Sequence, residues 1–355
     1  MVRLRRSDPE SPGWTRRRAG RGFVYLDTEG ARLPDDDVAR IKELAIPPAW
    51  SDVWISPLPH GHIQAIGVDD AGRRQYLYHP QWRARRDRLK HDRVLDVARR
   101  LPRARERVRV DLARDGLPRE RVLALAFALL DVAYLRIGGE VYARDNGSIG
   151  LSTLRRSHAR VVRDPDGSAG VAGRPGAGAE SSRTSSANGS SDAVETAVVL
   201  RFPAKSGQRA ETVVDDPDVV AVLVELLDRP GRGGRLLAWE SADGWRDLTG
   251  TEIGEYVRDA IGAEATPKDF RTWHATVLAA TGLAVAGEPP RSKAARRRVV
   301  AGVVRDVADA LGNTPAVCRA SYIDPRVIDL WERGETIGRP RTLETTERAV
   351  RRLLT

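Results

Sequence analysis

Hydrophobic periodicity changes once along this 355-residue chain, near residue 80, which restricts it to two differently built parts. Between residues 22 and 80 the apolar runs are short and β-like: Phe23 to Leu26, Val53 to Ile55, Ile63 to Val68 and Tyr76 to Tyr78. Asp69-Asp70-Ala71-Gly72 reads as a hairpin loop, and Pro34 with Asp35 to Asp37 as the acidic start of one helix carrying Val38, Ile41 and Leu44. Residues 21–92 are therefore expected to be a small α+β domain, mainly antiparallel, preceded over 1–20 by a disordered basic arm. Beyond it helical spacing dominates 93–350. Pro118 opens an apolar helix through Leu135 that is expected to stop at Gly138-Gly139, and further helices are expected from Asp216-Pro217 and over 251–261, 275–285 and 294–311. Residues 165–191 are Gly, Ala, Ser, Arg and Asp with little to bury, and read as a disordered insertion between two strand-like flanks, 159–162 and 196–202. The fold class expected is α+β, the larger domain mainly helical with a short sheet.

Charge narrows the partners. Lys and Arg total 59 against 49 Asp and Glu, a net charge of +10, which favours a polyanion. Residues 83–109 alone hold twelve basic and four acidic side chains. Only five of the 59 are lysines (Lys42, Lys90, Lys205, Lys268, Lys293), so each asks why it is not arginine. One cysteine, Cys318, allows no internal disulfide, and no run approaches the ~18 apolar residues of a membrane span. A cytoplasmic protein is expected.

Common nucleotide and metal devices do not fit. Ala204-Lys205-Ser206 ends like a phosphate-binding loop, but Val199 and Ala204 stand where that motif needs glycine. Asp69-Asp70 and Asp215-Asp216 sit at turn and cap positions, and His60-Gly61-His62 has no nearby acid or thiol to complete a metal set. The informative run is Leu311 to Pro325. Gly312 stops one helix, Thr314-Pro315 starts a second and Asp324-Pro325 a third, which pins Tyr322 at a junction; Asn313, after the stop, is free to fold back toward it.

The chain resembles the compact type IB DNA topoisomerases of poxviruses and bacteria, members of the superfamily shared with tyrosine recombinases. The resemblance is carried by Leu135-Arg136-Ile137-Gly138-Gly139-Glu140 through Leu154, by Phe202 to Gly207, by Lys268-Asp269-Phe270-Arg271-Thr272-Trp273, by Gly312-Asn313-Thr314-Pro315 through Ser321-Tyr322-Ile323-Asp324-Pro325, and by Gly72 to Pro80. It implies a two-lobe clamp on double-stranded DNA, acting as a monomer in the nucleoid without nucleotide, metal or other cofactor. It makes Tyr322 the nucleophile, Arg136, at the end of its helix, and Arg271 the phosphate ligands, Lys205 the proton donor, and Asn313 a neutral donor where poxvirus members have histidine. Gln75, Tyr76, Tyr78 and Tyr142 match DNA-contacting positions. A tyrosine recombinase would usually place histidine three residues before the second arginine, where this chain has Lys268. A non-enzymatic architectural DNA-binding protein is the alternative from another class, and it would have no use for the whole site set.

Overall fold

The computed structural model describes residues 3–164, 195–204, 209–231, 233–339 and 342–355. The chain divides into two compact units, Met1–Lys90 and His91–Thr355.

The first unit is built on β1 (Trp14–Ala19), β2 (Gly22–Leu26), α1 (Asp35–Glu43), β3 (Ser51–Ile55), β4 (Ile63–Val68) and β5 (Arg74–Tyr78). The strands form one sheet in the order β2-β1-β3-β4-β5, every neighbouring pair antiparallel. Ile41 of α1 packs with Ile46, Val53, Ile55 and Ala65 as its core. The expected arm over 1–20 is corrected here: residues 14–19 are β1, in register with β2 from Thr15 opposite Leu26 to Ala19 opposite Gly22. Further upstream, Arg5 N donates to His60 O at 2.9 Å and Ser7 is buried. What holds the basic run is arginine chemistry rather than apolar alternation. Arg16 donates to the carbonyls of Ile46 (3.2 Å), Pro47 (2.6 Å) and Trp50 (2.9 Å), and its guanidinium lies over the Phe23 ring.

The second unit follows α2 (Pro80–Leu112), a helix that begins in the first. It contains α3 (Arg119–Val132), α4 (Glu140–Asn146), β6 (Ala159–Asp164), β7 (Glu195–Pro203), β8 (Arg209–Val214), α5 (Pro217–Asp228), β9 (Ala238–Ser241), β10 (Gly244–Asp247), α6 (Gly250–Ile261), α7 (Pro267–Ala286), α8 (Lys293–Leu311), α9 (Pro315–Ser321), α10 (Pro325–Glu332) and α11 (Leu343–Leu353). The arrangement is the expected α+β one. Between its charged ends helix α3 is apolar on every side from Val122 to Leu130 (Val122, Leu125, Phe127, Leu129 and Leu130 are fully buried), so it runs through the middle of the core instead of along its surface. Pro102 sits inside α2 and cannot donate to Ala98 O; Arg351 of α11 does so instead, at 2.8 Å. Strands β6 and β7 pair antiparallel up to Asp164 opposite Glu195, and β8 lies on the other side of β7. The insertion expected over 165–191 lies outside the described residues. Among the described residues no helix is long and apolar enough to cross a membrane.

Two expected boundaries are corrected. The helix expected to reach Gly138 stops at Val132, because Tyr134 takes a left-handed conformation with φ +53°, so Arg136 stands in an extended loop and not at a helix end. Helix α7 starts at Pro267, with Asp269 accepting from Thr266 N and Oγ1 at 2.8 Å, which puts Lys268 and Arg271 on its first turns.

Candidate active site

Tyr322 is fixed by its backbone. Gly312 closes α8 in the left-handed conformation (φ +58°), and Asn313 N donates back to Ala308 O at 2.9 Å. Thr314 caps the seven residues of α9, and Tyr322 follows as their C-cap, its N–H on Cys318 O at 2.9 Å. Asp324 then caps α10 through Arg326 N (3.0 Å). Thr276 Oγ1 of α7 spans the junction, accepting from Asp324 N (3.1 Å) and lying 3.4 Å from Tyr322 O while its hydroxyl donates to Thr272 O at 2.8 Å.

Around the ring stand the cations. The Arg271 guanidinium carbon is 5.3 Å and Lys268 Nζ 5.7 Å from the centroid of the Tyr322 ring. Arg271 is 4 % exposed; its Nη2 donates to Leu311 O at 2.6 Å and its Nη1 to Tyr134 O. Arg136 Nη2 donates to Asn313 Oδ1 (2.5 Å) and to Gly312 O (3.0 Å). Because the Asn313 oxygen is committed to Arg136, its amide donor end is left over. Asn313 Nδ2 and Arg271 Nε are both buried with no acceptor. Orphaned buried donors cost about 1–3 kcal/mol each unless an acceptor arrives. Burial, and next the charge of Arg136, push the Arg271 pKa down to about 10, with Tyr322 opposing. The guanidinium is still charged at neutral pH. Cys318, buried beside it, has its thiol pushed up to about 11 by burial and is no nucleophile.

The Arg136 loop is set by two glycines. Leu151 N donates to Arg136 O and Ser152 N to Ile137 O, both at 2.8 Å. Gly138 (φ +80°) and Gly150 meet backbone to backbone, and a Cβ on Gly150 would lie 2.4 Å from Gly138 Cα and 2.8 Å from Arg136 O. Ile149 N binds Pro203 O at 2.8 Å, fastening the end of β7 to the same loop.

The structure thus brings Arg136, Arg271, Asn313 and Tyr322 together. Lys205 lies outside the described residues. Tyr142 is on α4, in the second unit. In the first unit Tyr76 and Tyr78 lie on one face of the edge strand β5, 39 % and 37 % exposed, their rings 6.1 Å apart and nearly parallel, with Arg74 against Tyr76. Gln75 points its amide at Asp69, donating to Oδ2 at 2.8 Å. Asp69 itself is a turn residue: the Arg73 side chain and backbone N–H groups hold its carboxyl at about 2. Asp216 caps α5. Tyr134 was invisible from sequence as a site residue, since nothing in an apolar run announces a left-handed backbone whose carbonyl receives Arg271.

Comparison with known proteins adds what geometry cannot. Residues 22–69 match the family described as the N-terminal domain of bacterial DNA topoisomerase IB, and residues 79–330 match the catalytic core of eukaryotic DNA topoisomerase I. A DNA topoisomerase 1B of Acanthamoeba polyphaga mimivirus is 27% identical over 331 residues, covering 90% of this chain and 88% of the relative.

Proposed function

The chain belongs to the type IB DNA topoisomerase family, and from that premise we propose that it relaxes supercoiled duplex DNA by reversible transfer of one strand to Tyr322. The Tyr322 hydroxyl attacks a backbone phosphorus and gives its proton to water, the P–O5′ bond breaks, and the departing 5′-oxygen takes up a proton. A 3′-phosphotyrosyl link and a 5′-hydroxyl result. The duplex rotates about the intact strand, and the 5′-hydroxyl attacks the phosphotyrosine to restore the backbone and free Tyr322. Bond energy is retained in the covalent link, so no ATP is consumed.

The observation that carries this reading is the pair of buried donors, Arg271 Nε and Asn313 Nδ2, left without acceptors beside a tyrosine ring flanked by cations. Phosphoryl transfer gathers negative charge on the non-bridging oxygens, and fixed guanidinium forks with a neutral amide supply donors for it. Arg136 and Arg271 bind the two non-bridging oxygens, and Asn313 orients Arg136 while offering one further donor. In a chain with 54 arginines, Lys205 is kept because the leaving 5′-oxygen needs a proton, which a guanidinium of pKa above 12 gives up poorly. Tyr76, Tyr78 and Tyr142 touch the duplex, Gln75 does so while tied to Asp69, and the exposed arginines of α2 neutralise backbone phosphates, so that binding weakens steeply with salt. A monomer closes around the DNA as a clamp.

Relaxation of plasmid in EDTA without ATP, together with a covalent adduct trapped by denaturant on the 3′ side of the nick, tests the reading. No adduct would sink it, and a 5′ linkage would reverse the assigned polarity. Lys205→Ala is expected to cleave ordinary DNA slowly and to recover on a substrate whose leaving oxygen is sulfur, which needs no proton; absence of recovery removes the proton-donor role. Gly150→Ala displaces the Arg136 loop and is expected to slow cleavage by about 100-fold, since ~1 Å of misplacement has that effect. Wild-type cleavage by that variant would show that the glycine contact does not set Arg136.

A further inference from the structure

Behind Arg271 lies a buried set of charges that no step of the proposed reaction uses. Arg105 of α2 donates from Nε and Nη2 to Asp131 (2.6 and 3.0 Å) and from Nη1 and Nη2 to Glu347 of α11 (2.6 and 2.9 Å). Asp131 Oδ1 is also 2.7 Å from His274 Nε2, and Glu347 Oε1 accepts the Trp273 indole N–H at 3.0 Å. Asp131, His274 and Glu347 are all buried, at 5 %, 2 % and 1 % exposure. Burial alone would raise the Asp131 carboxyl, but hydrogen bonds from His274 and Arg105 outweigh it and hold the group well below the usual carboxylate range. Asp131 is therefore an anion that only accepts, and His274 Nε2 is the donor.

Stability is a weak reason for such a cluster, because apolar side chains of similar volume generally serve the fold as well or better. Its position is more telling. His274 stands one turn after Arg271 on α7, and its ring lies against the Tyr134 ring with centroids 4.8 Å apart. Asp131 is in the last turn of α3, three residues before Tyr134. Tyr134 in turn holds a left-handed backbone, which disfavours a residue with a β-carbon by about 1–2 kcal/mol, and offers its carbonyl to Arg271. Helix α11 braces the far side through Glu347 and through Arg351 on Ala98 O.

We propose that His274 is a positioning residue for the phosphate clamp: anchored on the Asp131–Arg105–Glu347 cluster, it keeps Tyr134 left-handed so that the Tyr134 carbonyl fixes the plane of the Arg271 guanidinium. The inference rests on the reading of Arg271 as a phosphate ligand. It separates cleanly from a general stabilising role, since only positioning acts through the bidentate fork of Arg271.

The test is single-turnover cleavage by His274→Ala, His274→Gln and Glu347→Gln in the full chain, each with Arg271 intact and in an Arg271→Lys background, with DNA affinity and melting temperature measured in parallel. With Arg271 intact, His274→Ala is expected to cleave about 10- to 100-fold slower at affinity within about twofold of wild type. His274→Gln, which keeps a donor for Asp131, recovers most of the rate. Glu347→Gln keeps the Trp273 acceptor and the shape of the cluster, and gives a smaller loss should His274→Ala fail to fold. Over Arg271→Lys, which has no planar fork to orient, the penalty of each variant shrinks to within about twofold. An equal penalty in both backgrounds, or a loss that merely follows the folded fraction, overturns the proposal. If Arg271→Lys alone cleaves like the wild type, it is the clamp assignment that falls, and this inference with it.

Discussion

Tyr322→Phe is expected to bind duplex DNA as the wild type does, to form no covalent adduct and to relax no plasmid. Two features make this the sharpest test available. The substitution removes one oxygen and with it the hydroxyl's contact to Arg271, while the ring keeps its place beside Lys268 and Arg271, and the Cys318, Thr276 and Asp324 contacts that hold residue 322 are all made by its backbone or its neighbours. Fold and affinity are therefore preserved while the attacking atom is gone. Cys318, the chain's one cysteine, does not stand in for the lost hydroxyl, because burial keeps it a thiol. The measurement is a denaturant-trapped adduct on end-labelled duplex beside a binding titration. Residual adduct at even a few per cent of wild type would mean that another group attacks.

What could be read from the sequence follows from which forces leave a local trace. Strands β2 to β5 and helix α1 announce themselves through alternating or helical apolar residues next to turn signals, and Gly312, Thr314-Pro315 and Asp324-Pro325 mark cap positions that chain-local chemistry dictates. Strand β1 leaves no such trace. Its Thr15 to Arg18 run is polar, and Arg16 is tied to carbonyls 30 to 34 residues away. The early end of α3 is equally hidden, because an apolar run through Leu135 supports a longer helix and only the tertiary setting of Tyr134 breaks it. Within the site, Tyr322, Asn313, Arg136 and Arg271 were legible as motif residues and not as geometry. The hydrogen bond between Arg136 and Asn313, and the two carbonyls on Arg271, join residues 177, 137 and 40 positions apart. Arg105 and Glu347 meet across 242 residues, so their cluster was out of reach of any periodicity.

Arg271→Ala is expected to reduce the cleavage rate by at least about 10³-fold while leaving the melting temperature little changed, an unusual combination for a residue that is 4 % exposed. On the proposed reading, the rate term follows from the removal of a charged phosphate ligand that Arg136 alone does not replace. The stability term is a near balance. Truncation leaves the carbonyls of Tyr134 and Leu311 without their donor, at about 1–3 kcal/mol each. It also removes a cation that the fold holds against its preference: a pKa lowered from the ordinary arginine value to about 10, first by burial and next by Arg136, corresponds to a penalty on the order of 3 kcal/mol. The sign is fixed by linkage. Above about pH 10 the unfolded chain still holds the proton that the folded chain has released, so the wild type gains stability as pH rises from there and carries the full penalty below it. At neutral pH the two contributions oppose each other, and a phosphate brought to the site relieves both the charge and the orphaned Nε. Arg271→Lys keeps the charge but not the fork, and should fall between wild type and alanine in rate. A large drop in melting temperature accompanied by a rate loss of the same proportion would assign Arg271 to the fold. Rate loss at unchanged stability assigns it to the phosphate.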